Sequence, residues 1–109
     1  MARVHVITDD LLFGSRLQGD LGAAGHEVTL GVAADPDADV YLLDLTHDAD
    51  SRLAALASSP RPPILAFFAH VETDVRARAQ AAGVELVVPR SRIAREGVAL
   101  VAGLLATAR

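Results

Sequence analysis

Residues 39–45 read DVYLLDL, a run that is apolar on both faces from Val40 to Leu45 except at Asp44. Such a run fits a strand at the centre of a parallel sheet, where helices cover both faces and neither meets water. Upstream, residues 3–8 (RVHVIT) form a β-branched strand pattern that ends at Asp9 and Asp10. Residues 11–24 then place Leu12, Phe13, Leu17, Leu21 and Ala24 at helical spacing, and Gly25 follows as a helix-ending glycine. Residues 26–30 make a second short strand. Only GVAADPDA (residues 31–38) separates it from the central strand, whereas a parallel crossover with its helix takes about 10 to 12 residues or more. The second helix is therefore expected to be missing or cut to one turn.

Downstream, Asp48 and Asp50 offer N-cap carboxylates to a short helix over 51–58, which the breaker Ser59-Pro60-Arg61-Pro62-Pro63 ends. Residues 64–68 are a fourth strand, 71–82 a helix closed by Gly83, 84–88 a fifth strand, and 91–108 a final amphipathic helix. Strands alternating with helices imply a parallel α/β sheet with helices on both faces. No linker or repeat interrupts residues 1–109, and the length suits a single domain.

Apolar residues are 51% and charged residues 22% of the chain, the balance of a globular domain rather than a disordered one. With only Phe13, Phe67, Phe68 and Tyr41 as aromatics and 21 alanines, the core must be built from small side chains. The formal charge of −4 lacks the basic footprint of a nucleic-acid or anionic-membrane binder, so neither partner is expected. Absence of cysteine removes disulfides, thiolate metal sites and cysteine nucleophiles. Absence of lysine removes Schiff bases and lysine phosphate loops; all ten basic residues are arginine. Met1 leads straight into a strand pattern rather than a signal peptide, and no apolar run approaches the roughly 18 residues of a membrane span. A cytoplasmic location is the expectation.

Open parallel α/β sheets bind ligands outside the carboxyl ends of their strands. Asp9 and Asp10 end the first strand and Asp44 lies at the end of the third; if those strands are neighbours, three carboxylates converge on one edge. Like charges that close need a cation or raised pKa values. Oxygen-only ligation suits Mg²⁺, and a carboxylate beside that metal can accept a phosphoryl group. The plainer alternative has Asp9 capping the first helix, Asp10 solvated in the turn and Asp44 leading into an acidic loop.

The segments VITDD, DVYLLDL, PPILAFFAH, AQAAG and VELVVPRSR, in that order, resemble the receiver domain of bacterial response regulators over nearly the whole chain. The resemblance implies a flavodoxin-like three-layer sandwich with a five-stranded sheet in the order 2-1-3-4-5. It implies that Asp9 and Asp10 are the acidic pair that binds Mg²⁺ together with Asp44, and that Asp44 is the phosphoacceptor. The family's Ser or Thr after the fourth strand falls at Phe68, or at Ala69 one residue on, and neither has a hydroxyl. Its lysine after the fifth strand falls at Arg90, preceded rather than followed by proline, which keeps the positive charge as a phosphate counter-ion but is not interchangeable with lysine. The chain is also shorter than the family between Asp10 and Asp44 and between Asp44 and Phe68. The phosphoacceptor site thus reads as partly degraded.

Other constellations are less specific. His47 and His70 follow strands three and four, and with Asp9, Asp10 and Asp44 they would suit a transition metal in a small metal-dependent hydrolase; exposed histidines after strands are the commoner case. Gly19, Gly22 and Gly25 are spaced for helix packing and capping, not as a dinucleotide loop. Ser58 and Ser59 have no base at hand. The last helix carries Ile93, Val98, Leu100, Val101, Leu104 and Leu105, more than one stripe requires. In receivers the fifth strand and its flanking helices form the usual dimer or output face, and the resemblance implies that Arg76, Arg78, Glu85 and Arg95 rim it. The expectation is a free-standing, non-enzymatic receiver-like signalling domain that works through a protein partner, a kinase or an output protein, or as a homodimer through that face. The alternatives are a phosphorylatable regulator using Asp44 and Mg²⁺, and the metal-dependent hydrolase.

Overall fold

The computed structural model describes residues 2–58, 60–69 and 73–107. The chain runs β1 (Arg3–Ile7), α1 (Leu11–Ala23), β2 (Glu27–Gly31), β3 (Val40–Asp44), α2 (Ala49–Leu56), β4 (Ile64–Phe68), α3 (Thr73–Ala81), β5 (Leu86–Pro89) and α4 (Arg90–Thr107). The five strands form one parallel sheet in the order β2-β1-β3-β4-β5. All five residues of β3 and of β4 are buried, as the two-faced apolar run requires.

Alternation along the strands divides the core into two layers. Val4, Val6, Leu42, Leu65, Phe67 and Val88 pack with Phe13, Leu17 and Leu21 of α1 and Ile93, Val101 and Leu104 of α4. On the other face Ile7, Tyr41, Leu43, Ile64, Ala66, Phe68 and Val87 pack with Leu53 and Leu56 of α2 and Val75 and Ala79 of α3. The apolar surplus of α4 is mostly consumed by this packing. Leu100 and Leu105 lie partly buried against the core, and of that set Val98 is the exposed large one.

No helix forms between β2 and β3, as the short connection requires, and the sheet beneath is adapted to a loop. Thr29, His5 and Tyr41 are register partners across β2, β1 and β3, a polar row on the face where a helix would need apolar contacts. The row instead straps down the loop that replaces the helix. His5 is 6% exposed; its Nδ1 meets the Thr29 hydroxyl at 2.6 Å and its Nε2 meets the Ala33 carbonyl at 2.8 Å. A carbonyl can only accept, so Nε2 carries a proton. The Tyr41 hydroxyl donates to the Asp35 carbonyl at 3.1 Å, and Ala38 is buried beneath the loop's end.

Most boundaries shift by one or two residues from the sequence reading, and three of the shifts have a visible consequence. The fifth strand begins at Leu86 rather than at residue 84. Gly83 turns the chain with φ 87°, and the Val84 amide is spent on the Ala79 carbonyl at the end of α3. The Glu85 carboxylate then accepts from the Ile64 amide at 2.9 Å and pairs with Arg61 at 2.9 Å. Secondly, α4 begins at Arg90, one residue before the expected start. Lastly, α2 begins at Ala49, and Asp48, expected as a cap, sits at φ 53° with no side-chain bond to the helix.

Replacing His5 by Phe keeps the buried ring but removes the bonds to the half-buried Thr29 hydroxyl and to the Ala33 carbonyl. A hydrogen bond contributes about 0.5–1.5 kcal/mol net, so His5→Phe, which loses two, is expected to lower unfolding free energy by about 1–2 kcal/mol in urea titrations, and Tyr41→Phe by about 1 kcal/mol. In both variants amide exchange should accelerate first in residues 31–38.

Candidate functional site

The pairing of β1 with β3 brings the ends of both strands to one rim, so Asp9, Asp10 and Asp44 share a neighbourhood as expected. Their environments differ sharply. Asp44 is 1% exposed, and both its oxygens are occupied. Oδ2 accepts from the Thr8 hydroxyl at 2.6 Å, while Oδ1 accepts from the Thr46 amide at 2.8 Å and the Thr46 hydroxyl at 2.5 Å. Its backbone carbonyl accepts from Arg52 at 2.7 Å.

Asp10, not Asp9, caps α1. Its Oδ1 accepts from the Phe13 amide at 2.9 Å, satisfying one of the orphan donors of the first turn. Its Oδ2 accepts from Arg90 at 2.5 Å. The Arg90 guanidinium lies 4.1 Å from the centre of the Phe13 ring, and Phe13 in turn packs on Phe67 at 5.3 Å between centroids. The expected phosphate counter-ion is thus engaged by Asp10. Asp9 is the more exposed acid, paired with Arg52 at 2.8 Å. Beside that pair an open cleft of about 670 Å³ is lined by Asp9, Val32, Ala33, Ser51, Arg52 and Leu56 among others, between the β2–β3 loop and α2.

Among the described residues no three His, Cys, Asp or Glu side chains come together as a set that fits a metal ion. The expected Mg²⁺ ligand set of Asp9, Asp10 and Asp44 is therefore not assembled: two carboxylates are turned to arginines and the third to hydroxyls. His47, the hydrolase candidate, is exposed and belongs to no such set, and His70 lies outside the described residues. Phe68, expected at the switch position, is 3% exposed in the core layer under α2 and α3. Its neighbour Phe67 is the register partner of Asp44.

Of the residues expected to rim the β5 face, Arg76 and Arg95 are exposed. Arg78 is tied to Asp50 and Asp74, and Glu85 is committed to Arg61 and β4. Sequence reasoning missed Thr8, Thr46 and Arg52. Thr46 carried a signal, since a hydroxyl and amide two residues after an aspartate form a local turn. Arg52 carried none, because its partners are eight and forty-three residues away.

No protein-family model matches the sequence, and no curated protein matches it. The fold is nonetheless that of response-regulator receiver domains. The Francisella response regulator 1452 receiver domain shares 16% identity at a TM-score of 0.83, with all of both chains covered. A CheY-like receiver domain protein from Methanospirillum hungatei shares 14% identity at a TM-score of 0.82, over 98% of this chain and 95% of that one. The phosphorylated cyanobacterial phytochrome response regulator RcpA shares 18% at 0.79, over 99% and 96%.

The Phe13 amide above all, and then Arg90, hold the Asp10 carboxyl below its ordinary 3.8, outweighing the opposing effect of burial. Burial alone would raise Glu85, but the Ile64 amide and Arg61 bring it below 4.5. A depressed folded-state pKa stabilises above the unfolded value and the gain is lost as pH falls through the folded one. Asp10→Asn, which keeps a capping oxygen but not the charge, is expected to be less stable than the parent near neutral pH. The gap should close as pH drops below about 3.8, the ordinary value. For Glu85→Gln the closing should begin slightly higher, and urea titrations across the acid limb measure both.

Proposed function

We propose that this protein is a receiver-type signalling domain that acts through contacts with other proteins, and that phosphoryl transfer to Asp44 does not drive it. The observation that carries the reading is the state of Asp44. A carboxylate nucleophile must present an oxygen in line with the phosphorus atom, and this one is buried with both oxygens hydrogen-bonded. The two positions the resemblance would assign to switching depart from it as well. Phe68 has no hydroxyl and packs in the core, and Arg90 is engaged by Asp10.

The distribution of exposed apolar groups supports a protein partner. Leu11, Leu12 and Val32 are 72%, 77% and 63% exposed, and all three follow the carboxyl ends of β1 and β2. Large apolar side chains gathered at one rim are a feature of interaction surfaces. The formal charge of −4 argues against nucleic acid and anionic membranes as partners, and no described helix is long and apolar enough to cross a membrane. A homodimer through β5 and its flanking helices would use Arg76 and Arg95.

Incubation with a small-molecule phosphodonor and Mg²⁺, followed by intact-mass measurement, tests the reading. No phosphoryl increment is expected, and beryllofluoride should leave the amide spectrum of the parent no different from that of Asp44→Asn. An increment that disappears in Asp44→Asn would establish the phosphorylatable regulator instead. Sedimentation then reads the partner side: if the chain self-associates through the β5 face, Arg76→Glu with Arg95→Glu should weaken it at least tenfold, about 1.4 kcal/mol.

A further inference from the structure

We propose that Arg52 and Arg90 take the place of a divalent cation at the acidic rim, so that the domain holds this rim in one arrangement with no metal bound. The inference rests on the receiver reading of the rim and adds to it which cations face its carboxylates.

The charges balance in kind: two guanidinium groups supply the +2 that an alkaline-earth ion would bring. They also make the same connections. An ion shared between Asp10 and Asp44 would tie the β1 end to the β3 end. Arg52 spans those two strand ends directly, donating to the Asp44 carbonyl and pairing with Asp9. Arg90 reaches from the start of α4 back to Asp10 and rests on Phe13, so the β5 end is joined to the same rim.

Five of the six carboxylate oxygens are engaged in the process. Both oxygens of Asp10, both of Asp44 and Oδ1 of Asp9 have protein partners. Mg²⁺ demands near-octahedral geometry and gives up its waters reluctantly. At Asp10 it would compete with the N-cap bond and the guanidinium for the same two oxygens. Arginine is suited to the substitution because it stays charged at any relevant pH and its fork fixes two directions at once.

The test compares the parent chain with Arg52→Gln/Arg90→Gln, using MgCl₂ or MnCl₂ as the probe against EDTA with NaCl matched for ionic strength. The parent is expected to melt within about 1 °C with or without cation. The double variant should gain a cation-dependent rise of about 5 °C at ten times its Kd, together with broadening of the Mn²⁺ resonance, both lost on adding Asp10→Asn. Circular dichroism checks that the variant folds; if it does not, Arg90→Gln alone carries the comparison, since that side chain is 36% exposed. A parent that binds Mg²⁺ in an Asp10-dependent way overturns the inference, and so does an arginine variant as indifferent to cations as the parent. These outcomes separate from the function test: Mg²⁺ binding without phosphorylation would sink this inference and leave the interaction reading intact. Phosphorylation of a chain that binds no cation would do the reverse.

Discussion

Parallel pairing of β1 with β3 is the constraint from which the rest follows. It places the end of a strand that finishes in two aspartates beside the end of one that finishes in a third. Both strands are almost wholly buried, so neither can slide or tilt to separate the acids. A shift of one residue would move every inward side chain to the opposite face. The core therefore holds the like charges near one another, and the molecule must offset them at the rim.

It does so by three different means, each set by depth. Asp44, deepest, is satisfied by two hydroxyls and an amide, the bonding that lets a carboxylate sit away from water. Asp10, at the mouth, faces a helix N-terminus and a guanidinium, both of which favour negative charge. Asp9, the most exposed, gains less from its partner because solvent screens it. For Arg52 the same pair matters more: its side chain is 10% exposed against 50% for Asp9, and a buried cation left without a counter-charge is costly.

The missing helix is a second consequence of local chemistry rather than a defect in the sheet. Eight residues cannot make the crossover with a helix in it, so β2 and β3 are joined by a loop. That loop would lie loosely over an apolar sheet. The polar row Thr29, His5 and Tyr41 gives it fixed hydrogen-bond partners, and an open cleft remains between that loop and α2 beside Arg52.

Element types, their order, the shortened crossover and the parallel sheet were legible in the sequence, because hydrophobic period and turn residues are local properties of the chain. So was the meeting of Asp9, Asp10 and Asp44 at one rim, given the adjacency of their strands. What each carboxylate touches was not legible. Which of two adjacent aspartates caps α1 depends on how the backbone turns at the strand end. The partners of Asp44 and Asp9 come from Thr8, Thr46 and Arg52, and Arg52 meets them only because α2 packs back on the sheet. Likewise Phe67 and Phe68 are alike in sequence, and only the register of β4 sends one ring to the α1 and α4 layer and the other beneath α2 and α3. Periodicity specifies which face a residue takes once the register is set. The side-chain partners at a rim are decided by tertiary packing, where several polar groups compete for the same few oxygens.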